Sequence, residues 1–199
     1  MFVQVIQGQT SDVGAMRVQI EAWERDVKPG AVGFLGSTGG VTEDGEFITA
    51  ARFDSEESAR ANSDRAEQSA WWEETSKLLN GDPTFYDCTD VDEFGGGGSD
   101  DAGFVQVIQG NAKDKDKMKE MGREMEQDQS MQERRPDVIG GIVAWGPSDG
   151  FSQFIYFTSE EEARKGEQAG AEDEGGPDWN DMVTDVKFLD LKDPWLSSP

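Results

Sequence analysis

Phe2-Val3-Gln4-Val5-Ile6-Gln7-Gly8 returns unchanged as Phe104-Val105-Gln106-Val107-Ile108-Gln109-Gly110, 102 positions later in a chain of 199 residues. Seven consecutive identities at that separation mark an internal repeat, and a repeat decides the architecture before any other reading. Each copy is rich in β-branched residues and closes on a glycine. Each therefore predicts the first strand of a half-molecule.

Beyond the first copy, Thr10-Ser11-Asp12 supplies caps for a helix. Val13, Met16, Ile20, Trp23 and Val27 then form a single apolar stripe at helical spacing, ended by Lys28-Pro29-Gly30. Ala31 to Leu35 reads as a strand followed by a loose Gly-Ser-Thr-Gly-Gly turn, and Asp44-Gly45 as the hairpin into a strand from Glu46 to Phe53. Asp54 with Glu57 reads as a capping box for a second helix. That helix runs through Ala59, Asn62, Ala66 and Trp71-Trp72, and Asn80-Gly81-Asp82-Pro83 stops it before a strand from Thr84 to Thr89.

The second copy repeats this order. A helix carries Met118, Met121 and Met125 on one face and ends at Arg135-Pro136. Val138 to Trp145 and Phe151 to Phe157 flank an Asp149-Gly150 hairpin. Thr158-Ser159-Glu160-Glu161 caps a helix that Gly170 and Gly175-Gly176-Pro177 break, and Thr184 to Leu191 is the closing strand. The pattern β-α-β-β-α-β, twice over, predicts an α+β chain of two tandem ferredoxin-like domains. Their expected bounds are residues 1–92 and 104–192, with a Gly-rich linker over 93–103 and a C-terminal tail over 193–199. Helices on one face of an antiparallel sheet leave the other face bare. Two bare faces in one chain predict sheet-to-sheet packing as an intrachain α/β barrel about a pseudo-twofold axis, hence a monomer equivalent to a dimer of single repeats, with further assembly left open.

Composition excludes several classes of function. Lys and Arg number 18 against 42 Asp and Glu, a net charge of −24, which disfavours nucleic acid and anionic membrane surfaces as partners. With no apolar leader and no long apolar run, the expectation is a cytoplasmic protein without a membrane span. Cys88 is the only cysteine, so no internal disulfide can form, and its strand-like setting reads as a buried inert thiol. The chain contains no histidine, which removes Ser-His-Asp and Cys-His nucleophiles, His-ligated haem and most zinc and non-haem iron sites. Glu160-Glu161-Glu162 and Glu172-Asp173-Glu174 lack the spacing of a calcium loop, so no metal and no cofactor is expected. The glycine runs lack a phosphate-loop lysine and support no nucleotide site.

A tandem β-α-β-β-α-β chain with Phe-Val-Gln-Val-Ile-Gln strands resembles the dimeric α/β-barrel superfamily, and within it the antibiotic-biosynthesis-monooxygenase-like proteins. Ala51 to Ser63 together with Trp71-Trp72 is the most family-like segment. The resemblance implies a small apolar or aromatic ligand in a sheet–helix cleft and, if the chain is an enzyme, a cofactor-free oxygenation in which the substrate itself activates oxygen. It assigns no catalytic residue, and the lack of histidine sets the haem-handling branch aside. A non-catalytic structural or interaction protein with a filled barrel is the alternative.

Strand alternation and the repeat select the residues for such a site. Phe47, Thr49, Ala51 and Phe53 form the helix-facing side of their strand, and Ile48, Ala50 and Arg52 the other side, where Tyr156 replaces Arg52 in the second copy. Gln4 sits on a central strand and needs a hydrogen-bond partner, expected from across the twofold axis. Adjacent indoles at Trp71 and Trp72 point about 100° apart on a helix, so one is expected to pack and the other to border a cleft. Asn62 and Trp145 complete the candidates.

Overall fold

The computed structural model describes residues 1–127, 133–171 and 179–199. They divide into two compact units, Met1–Asp90 with Pro194–Pro199, and Val91–Asp193. The Gly175-Gly176-Pro177 break, the Glu172-Asp173-Glu174 cluster and the indole of Trp179 lie outside the described residues.

In the first unit, β1 (Phe2–Gln9) is followed by α1 (Val13–Ala22), whose N-cap Asp12 accepts from the Ala15 amide at 2.8 Å. A wider π-type turn over Trp23–Val27 and a 3₁₀ turn over Lys28–Gly30 extend α1. The wider turn keeps Trp23 and Val27, four positions apart, both buried in the core beneath the helix. Then come β2 (Phe34–Val41), β3 (Glu46–Phe53), α2 (Glu56–Ser63), α3 (Ala66–Ser76) and β4 (Thr84–Cys88). The N-cap of α2 is Ser55, one residue later than the Asp54 box, and it accepts from the Ser58 amide at 3.1 Å.

The second unit runs β5 (Asp90–Phe94), β6 (Phe104–Ala112), α4 (Lys115–Gln127), β7 (Val138–Trp145), β8 (Gly150–Phe157), α5 (Glu160–Ala171), the one-turn α6 (Trp179–Met182) and β9 (Val183–Leu191). A last strand, β10 (Trp195–Ser197), belongs to the first unit.

Both sheets are antiparallel with the same internal order. The first runs β10-β2-β3-β1-β4 and the second β5-β7-β8-β6-β9. Removing the outermost strand of each leaves the ferredoxin-like order that β-α-β-β-α-β predicts. The addition is reciprocal in sequence: the segment after the first repeat's last strand joins the second sheet, and the segment after the second repeat's last strand joins the first. No helix of the described residues is long and apolar enough to cross a membrane.

Register sorts the faces. Phe2 pairs with Phe53, and Gly8 with Phe47, on the side covered by Trp23, Met16 and Ala59. Val3, Val5, Ile48 and Ala50 point the other way and are buried to 1% exposure or less. The face assignment read from alternation is therefore correct. The glycine-rich stretch after Leu35 is not a turn. Gly36 to Gly40 lie inside β2, paired to β3 throughout, because a side chain at Gly36 would collide with the Arg52 side chain that crosses it.

Candidate functional site

Asn62, Arg65, Gln68 and Trp71 recur every third residue, and the structure turns that spacing into one cluster. Arg65 takes an extended conformation (φ −72°, ψ 140°) and divides the predicted second helix into α2 and α3. Its Nη1 donates to the Val27 carbonyl and to Asn62 Oδ1, each at 3.0 Å. A guanidinium on the last carbonyls of the α1 extension also suits the negative end of that helix. Gln68 Oε1 accepts from the Trp23 indole at 2.8 Å and from Asn62 Nδ2 at 3.2 Å. Trp71 Nε1 donates to the Gln19 carbonyl at 2.6 Å.

Under this polar layer the aromatic rings stack down to the sheet. Trp23 lies 5.0 Å from Phe34 and 6.4 Å from Trp71 between ring centroids, and Phe34 meets Phe53 edge-on at 5.7 Å. On the outer side of Phe34 a cleft of about 340 Å³ opens between Glu24, Lys28, Pro29, Ala31, Phe34 and Pro199. Its rim is charged: Lys28 Nζ stands 3.2 Å from Glu24 Oε2, donates to Ser197 Oγ at 3.1 Å, and lies 6.0 Å from the Phe34 ring centroid. Its floor is apolar. The arrangement suits a compound of one or two rings lying on Phe34 with a polar substituent at Lys28.

The other candidate residues fall elsewhere. Trp72 turns to the second core cluster of the unit, with its ring 5.4 Å from Phe85, so both adjacent indoles pack. Gln4 finds its partner inside its own sheet, donating to Asp87 Oδ1 at 2.8 Å, and its copy Gln106 donates to Glu167 and to Asp190. Arg52 lies on the helix-free face of β3. Tyr156 occupies the same place in β8 and is fully buried. Trp145 packs with Phe151 and Ile108 in the second unit, donates to Asp92 Oδ2 at 2.7 Å, and carries Lys115 and Lys119 over its ring. Of the predicted residues, only Asn62 and Trp71 meet in one polar cluster. Arg65, Gln68, Lys28 and Phe34 were not singled out from the sequence, although the three-residue spacing is a readable signal for the first two. Among the described residues no group of three or more Cys, Asp or Glu side chains could hold a metal ion.

No family model and no curated protein matches the sequence. Solved structures do. A candidate monooxygenase from Fusobacterium nucleatum subsp. nucleatum superposes with a TM-score of 0.79 at 9% identity, covering 99% of this chain and 94% of that one. A candidate monooxygenase from Lactobacillus acidophilus NCFM gives 0.72 at 14% identity over 99% and 95%. An anthrone oxidase-like protein gives 0.53 at 10% identity over 99% and 90%. Likeness at this identity carries the fold. The chain shares the α+β fold of these proteins, with two ferredoxin-like repeats on one polypeptide.

Proposed function

We propose that the first unit binds a small apolar or aromatic molecule in its sheet–helix cleft, as a monooxygenase-like protein that oxygenates its ligand without a cofactor. The observation that supports this reading is the cleft on Phe34, about 340 Å³ in volume, with an aromatic floor backed by Trp23 and a single ammonium at its rim. Lys28 would hold a phenolic or carbonyl oxygen there, and an electron-rich ring deprotonated beside it would be the reductant for dioxygen. The names of two structural likenesses, both candidate monooxygenases, point the same way.

A second reading rests on the neighbouring cluster. Asn62, Gln68 and the Trp23 and Trp71 indoles are all engaged with one another or with backbone, as in a filled layer that only supports the fold. That reading makes the chain a non-catalytic interaction protein. One experiment separates the two. Titration of the full chain with 1-naphthol, anthrone and 1,4-dihydroxynaphthalene is followed by tryptophan fluorescence and by oxygen uptake. Binding that Ala31→Leu weakens by at least ~10-fold, with protein-dependent oxygen uptake, supports the oxygenase. Binding without uptake leaves a ligand carrier. No binding by any of the three overturns the cleft reading.

A further inference from the structure

Lys28 stands at the rim of the Phe34 cleft, and its ammonium is already partly engaged. Nζ lies 3.2 Å from Glu24 Oε2, one helical turn back, and donates to Ser197 Oγ at 3.1 Å. An ammonium carries three N–H donors and no acceptor. Two donors are therefore taken, and among the described residues the third has no hydrogen-bond partner.

Ser197 is itself fixed. It is 4% exposed on β10, opposite Ser37 of β2, and its hydroxyl donates to the Ser198 carbonyl at 3.3 Å, which leaves a lone pair for Lys28. Two residues earlier, Trp195 anchors the strand among Met16, Phe47 and Leu79. The hydroxyl that steadies the ammonium thus comes from the added outer strand and not from the repeat that carries the cleft.

The second unit treats the matching place differently. Arg135 precedes Pro136 as Lys28 precedes Pro29. Its Nε and Nη2 donate to the two carboxylate oxygens of Asp137, at 3.0 and 2.8 Å, and its guanidinium lies 5.7 Å from the Phe157 ring centroid. Gly141 pairs with Ile155 as Ser37 pairs with Ala51, at matching positions of the two repeats, and over Gly141 lies the ring of Phe94 from the added strand. A two-pronged ion pair and a phenyl ring satisfy the fold there. Packing alone therefore does not call for a half-engaged ammonium beside a buried hydroxyl.

We propose, on the basis of the cleft reading, that Glu24 and Ser197 set the ligand class: an apolar ring with one uncharged oxygen at its edge, and not an aromatic acid. Glu24 offsets the charge of Lys28, so an incoming carboxylate meets a like charge beside the ammonium that would attract it. The one remaining N–H serves one oxygen, whereas a carboxylate is best met by two donors. Ser197 holds the second donor and so fixes the rotation of the ammonium on its flexible stem. It is a positioning residue, and Glu24 sets the charge preference. Ala31, Phe34 and the two prolines, Pro29 and Pro199, take the ring.

Calorimetric titration of the full chain at neutral pH tests this with 1-naphthol, which is uncharged, and 1-naphthoate, an anion on the same ring. Wild type binds 1-naphthol at least ~10-fold more tightly than 1-naphthoate. Glu24→Gln strengthens 1-naphthoate binding by at least ~5-fold and changes 1-naphthol by less than ~2-fold, so the preference narrows. Ser197→Ala weakens 1-naphthol by at least ~3-fold, and Ser197→Thr, which keeps the hydroxyl, restores it. Equal wild-type affinity for the two compounds overturns the proposal, as does an unaltered preference in Glu24→Gln or unaltered 1-naphthol binding in Ser197→Ala. Those outcomes leave the cleft reading standing. Binding of neither compound by any of these chains removes the cleft reading and the proposal together. Should Ser197→Ala not fold, the preference of Glu24→Gln decides.

Discussion

Gln68 joins Trp23 to Asn62: one side-chain oxygen, Oε1, accepts from the indole at 2.8 Å and from the Asn62 amide at 3.2 Å. Two donors on different helices thus depend on a single acceptor. Gln68→Ala strands both, at about 2–4 kcal/mol for two partly or fully buried donors. Gln68→Glu keeps the acceptor and loses less. Urea denaturation of the two variants against wild type orders them, and equal losses would show that the shared acceptor is not what matters.

Asp54, beside the Ser55 N-cap of α2, adds one acid-sensitive contribution to stability. Hydrogen bonds from Ser58 and then Ser55 hold the Asp54 carboxyl below its ordinary value of 3.8. A carboxyl lowered on folding stabilises the native chain fully above that value and loses its contribution as pH falls through the lower folded value. Asp54→Asn therefore differs from wild type by a constant amount above about pH 5, and the difference shrinks in more acid solution. Ser55→Ala removes the N-cap and lowers stability by about 1 kcal/mol at neutral pH.

Arg164 holds together the acidic cluster of the second unit. Its guanidinium bonds Glu167 at 3.1 Å, pairs with Glu160 and Asp190, and lies 5.2 Å over the Phe104 ring. Arg164→Met leaves Glu167 and Asp190 facing one another across Gln106. At a third of its side chain exposed, the expected loss is modest, about 1–2 kcal/mol. Asp190→Asn in that background recovers part of it. A double-mutant cycle by chemical denaturation measures the coupling, and strict additivity would refute it.

Phe94 lies so close over Gly141 that a Cβ there would collide with its ring. Gly141→Ala must displace the ring and loosen β5 from β7. Overpacking of this kind costs about 1–3 kcal/mol. Phe94→Ala in the same chain makes room, so the double variant is less destabilised than the sum of the two. Hydrogen exchange at the β5 amides reports the loosening directly.

Much of this architecture was readable from residues. The seven-residue repeat, the alternation of Phe47 to Phe53, and the Asp44-Gly45 hairpin each act through local rules of strand and turn, and the structure follows them. The outer strands were not readable. Asp90-Val91-Asp92-Glu93-Phe94 is too acidic, and Trp195-Leu196-Ser197 too short, to announce a strand; each is one only because a distant edge receives it. The break at Arg65 was equally silent, since no proline or glycine marks it and the Val27 carbonyl that rewards it comes from another helix. At the candidate site the sequence named Asn62 and Trp71 but missed the shared acceptor between helices, because hydrogen-bond partners 45 residues apart, like Trp23 and Gln68, leave no local pattern.

The reciprocal outer strands also impose an order of events during synthesis. The β2 edge of the first sheet cannot be closed until residues 195–197 have been made, so it stays open while the whole second repeat emerges. Conversely, β5 leaves the ribosome before the β7 edge that will receive it exists. Both waiting elements are poor templates for wrong partners: β2 is interrupted by three glycines, and β5 carries three acidic residues in five. The composition that hid these strands from a reading of the sequence is the one that keeps them unpaired until their own edge arrives.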